Sequence, residues 1–310
     1  MAPDLPELAA WFHRGAWLRA DAPHTGDRAT FPYTQSQIDL GLTLRIRIDV
    51  MNNFHLKFTY IGGPSALLEL GGLRLLTDPT FDPAGEEYPT GLYTLHKTIG
   101  PSLEPESLGR IDAVLLSHDH HFDNLDHSGR ALLKSAGSAL TTEAGAKRLG
   151  GNAIGITPWQ SIDLSTRDGR VLRVTGTPAR HGPVGGDRGP VTGFILTLTE
   201  SPHSAIYLSG DTVWYEGVAE VSRRFSVRAA ALFMGAARVP EVGPAHLTFT
   251  AEEAVEAARA FAGADIIPLH YEGWAHFSES RKEIEEAFAN AGLAGRLRWM
   301  EPGCAAEISN

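Results

Sequence analysis

The sequence predicts an α/β domain built from two packed β-sheets with helices on their outer sides. Three observations point there. From residue 55 onward, short runs rich in β-branched and aromatic residues are bounded by Gly, Pro and Asp, the pattern of strands separated by turns. The order strands then helix occurs twice with no linker between the halves, and two sheets backed by helices satisfy that order within one domain. The 310 residues, 43% of them hydrophobic, suffice for a sizeable core.

Along the chain, "LKFTYIGG", "ALLELGG" and "LRLLTDP" read as three strands, and Gly71-Gly72 between the last two predicts a hairpin. "IDAVLLS" is an apolar run suited to a strand buried on both faces. A helix is expected from near Asp123 to near Gly137, with Leu125, Leu132, Leu133 and Ala136 on one stripe. "AIGITP", "QSIDLS", "RVLRVTGTPARH", "VTGFILTLTE", "SAIYLSGD" and "AAALFMG" supply a second series of strands. The helix that follows is signalled by a capping box at Thr250 and Glu253, a shared face of Ala254, Val255, Ala258, Phe261 and Ala262, and a stop at Gly263. "DIIPLH" closes as a strand.

Residues 1–50 lack a sustained period and read as an appendage or partner-contacting arm, with Met51 a second candidate start; residues 51–310 form the domain. The Trp-bearing arm would fit a membrane surface or a contact in a homo-oligomer. The formal net charge of -10 disfavours nucleic acid as a partner and leaves a small-molecule substrate as the expectation. Cys304 is the only cysteine, which excludes an internal disulfide and any multi-cysteine zinc site. No basic leader with an apolar run follows Met1, and no stretch of about 18 apolar residues occurs, so no transmembrane segment and a cytoplasmic location are expected.

Strand ends carry the chemistry. His118 and His120 follow "AVLLS", with His121 beside them; His181 follows "RVTGTPAR", Asp211 follows "IYLSG" and His270 follows "IIPL". Rigid strand ends that share a rim can bring ligands from distant segments within metal reach of about 2.0–2.2 Å. Taken singly, His270 is as well explained as a core histidine and Asp211 as a turn residue; it is their joint placement that points to a metal.

The set "TDPTFD", "LLSHDHHFDNLD", "PARH", "SGDT", "HLTFTAEEAV" and "PLHYEGW" resembles the metallo-β-lactamase superfamily, over about residues 55–275. It is similar to the branch holding ascorbate-6-phosphate lactonase and N-acylphosphatidylethanolamine-hydrolysing phospholipase D. The resemblance implies a four-layered αββα sandwich with a metal site at one edge. The family pattern is His-x-His-x-Asp-His, and this chain departs from it: Phe122 stands where Asp is expected, Asp123 comes one residue late, and Asn124 takes the place of the last histidine. In extended chain residues two apart face one way, which favours His118 with His120. A one-residue bulge near His121-Phe122 would then return Asp123 to the site.

The resulting assignment places one metal on His118, His120 and His181, with Asp211 bridging to a second held by Asp123 and His270. Either His121 substitutes at the second site, or that site is weak or absent. Zinc is the default, with manganese or iron as alternatives. Metal-bound water with its pKa lowered to about 7 would attack a carbonyl or phosphorus centre. Asp123 or Asp119 would orient the water or transfer its proton, and His246 would touch substrate. Asp78 is expected to support a ligand. Asp126 and His127 read as a solvated helix face, and Tyr271, Trp274 and His276 as pocket walls. The activity implied is hydrolysis of a small ester, lactone or phosphodiester; the alternative is a non-enzymatic metal-binding protein with a degenerate second site.

Overall fold

Burial alternates along the first strand, β1 (His55–Gly62): Leu56 and Phe58 are buried while His55 and Lys57 are exposed, as expected for a strand with one face on a core. The computed structural model describes residues 55–309, so the expectations for residues 1–50 lie outside it. The chain continues through β2 (Ser65–Leu70), β3 (Leu73–Thr77), a small hairpin of β4 (Glu87–Pro89) and β5 (Thr94–His96), and then β6 (Ala113–Leu115). Next come α1 (His127–Leu132), β7 (Ala139–Thr141), α2 (Glu143–Leu149) and β8 (Ala153–Gly155). The second half holds β9 (Ser161–Ser165), β10 (Val171–Pro178), β11 (Thr192–Leu198), β12 (Ala205–Leu208), α3 (Glu216–Arg224) and β13 (Val227–Phe233). It ends with α4 (Ala251–Ala260), β14 (Asp265–Leu269), α5 (Arg281–Asn290) and β15 (Ala305–Ser309).

One sheet runs β15-β1-β2-β3-β6-β7-β8, the other β14-β13-β12-β11-β10-β9. In each, an antiparallel half meets a parallel half, at β3-β6 and at β12-β13. Leu56, Phe58 and Leu115 of the first sheet and Val174, Phe194 and Phe233 of the second share the central core. The outer face of the first sheet, with Leu76 and Val114, is covered by Leu125, Leu133 and Ala136. On the outer face of the second, Tyr207, Ala230 and Leu232 pack against Val218 of α3, Val255 and Ala258 of α4, and Ile284 and Phe288 of α5. Helix, sheet, sheet, helix is thus the layer order, the αββα sandwich. Among the described residues no helix is long and apolar enough to cross a membrane.

Helix α4 carries the expected capping box, with Thr250 accepting from the Glu253 amide and Glu253 from the Thr250 amide. A second box, Ser280 with Glu283, starts α5. The helix expected from Asp123 begins later: residues 122–124 form a turn, and Asp126 is the N-cap, its Oδ1 accepting from the Gly129 amide at 2.8 Å. Asp126 is therefore not a solvated helix-face residue. It is completely buried, and its Oδ2 also takes the Asp82 amide at 2.7 Å and Lys97 Nζ at 2.9 Å. Asp82 in turn accepts from the amides of His127 and Ser128 and from the Tyr88 hydroxyl. The two carboxylates pin the start of α1 and, through Lys97 and Tyr88, anchor the β4–β5 hairpin to it.

This close approach leaves no room at Gly129, where a Cβ would fall 1.9 Å from the Pro79 carbonyl oxygen. Gly129→Ala is expected to lower the unfolding free energy by about 1–3 kcal/mol or more. Urea denaturation against wild type measures the loss.

Candidate metal centre

The chain leaves β6 through Leu116 and Ser117 into the histidine segment. Asp78, beyond the neighbouring β3, accepts on Oδ1 both the Ser117 amide at 2.9 Å and the Ser117 hydroxyl at 2.6 Å. That hydroxyl, its proton committed to Asp78, can only accept from His118 Nδ1, 2.9 Å away. The ring proton is thereby held on Nδ1 and the Nε2 lone pair is left for a cation. His181, past the end of β10, is prepared the same way from the other sheet: its Nδ1 donates to the Leu247 carbonyl at 2.8 Å. His121 completes a trio, its Nδ1 lying 2.9 Å from His118 Nε2 and 3.2 Å from His181 Nε2.

A second set comprises Asp123, Asp211 and His270, and in each set the donor atoms lie within 4.8 Å of one another. Asp211 joins the two. Its Oδ2 is 3.4 Å from His181 Nε2 and 3.9 Å from His118 Nε2, while its Oδ1 is 3.5 Å from His270 Nε2. Asp123 Oδ2 lies 3.6 Å from His270 Nε2 and 3.1 Å from His276 Nε2.

Backbone geometry sets these positions. Gly210 has φ +60°, and a Cβ there would lie 2.7 Å from the Thr192 carbonyl oxygen and 2.8 Å from Ser117 Cβ. Only glycine lets the end of β12 pass so close to Ser117 and set Asp211 beside His118. Asp78 (φ +23°) and His270 (φ +51°) adopt left-handed backbone without being glycine, at a cost of order 1–3 kcal/mol each. The surrounding contacts hold them: the Asp78 amide donates to the Leu115 carbonyl and the His270 amide to that of Gly63.

Burial controls the protonation states. It pushes His118 and His121 well below the usual imidazole range, brings His181 to about 4 and lowers His270. These rings are neutral at neutral pH, the form that ligates a metal. Burial, reinforced by the Asp123 and Asp78 carboxylates, pushes Asp211 well above the usual carboxylate range. Asp78 is raised by burial to about 8, against hydrogen bonds from Ser117. Burial opposes ionisation of Asp123 as well, yet the His270 and His276 rings beside it, 3.6 Å and 3.1 Å away, hold its carboxyl well below the usual range.

The donor set fits a cation. Among the described residues, both oxygens of Asp211 and both ring nitrogens of His270 are buried without a hydrogen-bond partner. Among the described residues the ion pairs of Asp123 and Asp211 are all with histidine. Buried polar atoms left so cost about 1–3 kcal/mol each, and a divalent ion would engage several at once. Imidazole and carboxylate donors suit zinc, manganese or iron.

The expected trio of His118, His120 and His181 is not the one brought together. The chain bends at Asp119 and His120, so the two-residue alternation of a strand no longer applies, and His121 turns inward in place of His120. His120 Nε2 instead meets the Arg188 carbonyl at 2.8 Å and steadies the glycine-rich loop after His181. The offset of Asp123 is absorbed by a turn, not a bulge, with the His121 carbonyl accepting from the amides of Asn124 and Leu125. Asp119, expected near the water, is paired with Arg148 through both oxygens. His246 lies 3.0 Å from Glu253 of the α4 capping box; it is the next residue, Leu247, that reaches the site. Asn124 is completely buried, and its amide favours the ionised forms of Asp78 and Asp211 without a well-formed hydrogen bond.

Beside the donors lies a narrow cleft. Tyr93 and Leu95, brought by the β4–β5 hairpin, with Val239 and Leu247 form apolar walls, and Arg188 and His276 add polar groups. Sequence reading had no local signal for the hairpin residues. Of the expected walls, Tyr271 packs in the outer core of the second sheet and Trp274 packs with Tyr88 and Leu95 beneath the hairpin.

An αββα sandwich with histidine and aspartate donors gathered at its strand ends is the architecture of a metallo-hydrolase-type fold. The family model for the beta-lactamase superfamily domain matches residues 73–271, and the chain belongs to that superfamily. A protein of Aeropyrum pernix named a metal-dependent hydrolase is 24% identical over 262 residues, covering 80% of this chain and 95% of its own. Among solved structures, an isothiocyanate hydrolase from Delia radicum gut bacteria superposes with a TM-score of 0.70 at 22% identity, covering 82% of this chain and 100% of its own. A metallo hydrolase of the archaeon Ignicoccus hospitalis gives 0.62 at 20% identity, covering 83% and 99%. At these identities the structural likeness speaks for the fold.

The protonation states predict how metal uptake depends on pH. With the imidazoles already neutral and Asp211 raised, loading near pH 7 should release protons from carboxyl groups, and affinity should rise with pH while Asp211 titrates. Calorimetric titration in buffers of different ionisation enthalpy counts those protons. Affinity that is flat above about pH 6.5 and falls only below it would assign the protons to imidazole instead.

Proposed function

We propose that the protein is a metal-dependent hydrolase of small molecules, with zinc as its metal and an ester, lactone or phosphodiester as its substrate. One observation carries this reading: the two oxygens of Asp211 are divided between the histidine trio and His270, the arrangement a bridging carboxylate needs. The names of the relatives, metal-dependent hydrolases and an isothiocyanate hydrolase, support it.

His118, His121 and His181 would hold one ion, and Asp123 and His270 a second, with Asp211 between them. A divalent ion supplies Lewis acidity there and lowers the pKa of water to about 7. Asp123, which lines the cleft and stays ionised, orients the nucleophilic water by accepting a hydrogen bond on a carboxylate oxygen. Arg188 lines the same cleft with its Nε buried and, among the described residues, unpartnered, and offers a donor to a substrate oxygen. Leu95, Val239 and Leu247 exclude bulk water and suit a compact apolar group.

A panel of small esters, lactones, phosphodiesters and isothiocyanates, assayed with zinc-loaded protein, tests the proposal. His118→Ala and His181→Ala should each lower kcat/KM by about a thousandfold, the several kcal/mol of a lost metal contribution, with an unchanged far-UV spectrum. Zinc-loaded wild type that turned over no member of the panel would sink the reading.

A further inference from the structure

We propose that His276 is a ligand of the second ion and fills the role that Asn124 leaves open. The inference rests on the metal-dependent hydrolase reading. An amide is a weak zinc ligand, and that of Asn124 faces Asp78 and Asp211 in a completely buried position.

His276 stands where an imidazole is needed. Its Nε2 is 3.1 Å from Asp123 Oδ2, the same spacing that separates donor atoms within the histidine trio, 2.9 Å and 3.2 Å. Among the described residues its Nδ1 has no hydrogen-bond partner, so the ring proton that faces Asp123 from Nε2 is free to move to Nδ1 when a cation takes its place. The side chain is only 11% exposed and borders the cleft.

The loop that presents it is held on both sides. The His276 carbonyl accepts from the Arg238 amide at 2.8 Å, the Ala275 amide donates to the His96 carbonyl at 3.0 Å, and the Ser278 amide donates to that of Gly235 at 2.9 Å. Phe277 packs against both imidazoles, with ring centroids 4.9 Å from His270 and 4.7 Å from His276. One aromatic ring thus orients two histidines toward the same carboxylate, Asp123. A ligand six positions after His270 on one loop substitutes for a ligand one position after Asp123 on another.

The test is titration of metal-free, full-length protein with zinc and with cobalt against a chromophoric chelator, for wild type, His276→Ala and His276→Gln. Glutamine keeps a hydrogen-bond donor for Asp123 but removes the imidazole. Wild type should bind two ions. Both variants should hold the first ion with unchanged affinity and bind the second more than 100-fold more weakly, beyond the about 10–100-fold typical of an outer-shell loss. The visible band of the second cobalt equivalent should change in the same variants.

A His276→Gln variant that binds the second ion within tenfold of wild type would overturn the proposal and reduce His276 to positioning Asp123. Wild type that binds a single ion also overturns it but leaves a one-metal hydrolase standing. Wild type that binds none removes the hydrolase reading as well. Retention of the first ion in the variants shows that they fold.

Discussion

The centre depends on one constraint: Asp211 is buried between two groups of imidazoles, and among the described residues neither of its oxygens receives a hydrogen bond. A carboxylate so placed is costly to ionise unless positive charge reaches it. Neutral histidines cannot supply that charge. The arrangement makes sense as a socket whose protein part is deliberately short of cations, with tautomers set in advance by the Leu247 carbonyl and by the Asp78–Ser117 relay. The strain at Asp78 and His270 and the bare backbone at Gly210 serve the same placement.

Much of this was legible in the sequence because it is local. Strand alternation, the Gly71-Gly72 turn and the Thr250/Glu253 box each depend on a few neighbouring residues, and the structure has them. So were the strand ends that bring His118, His181, Asp211 and His270 to one rim. What could not be read was local geometry set from far away. Choosing between His120 and His121 required knowing that the chain bends after His118 and that the Arg188 carbonyl waits for His120. Asp126 rather than Asp123 caps α1 because Lys97 and Asp82 come to meet it.

Other features carried a signal that went unread, or none. Ser280 and Glu283 repeat the capping box that marked α4, and they start α5. The pairing of β15 with β1 joins opposite ends of the domain, and no neighbouring residue announces it. The β4–β5 hairpin is short and mostly polar, yet its anchorage by Lys97 and Tyr88 lets Tyr93 and Leu95 form part of the cleft. The shape of the cleft is thereby set in part by a segment that contributes none of the candidate ligands.

The histidine trio draws His118 and His121 from the segment after β6 and His181 from the end of β10, in the opposite sheet. His121 and His181 are 60 residues apart in the chain, so whatever binds all three closes a long loop, where a cross-link removes the most freedom from the unfolded chain. The same donor atoms would then serve as a rivet through the edge of the sandwich. Chelation would open that rim first, and proteolysis there would report the loss of the ion before the far sides of the sheets began to give way.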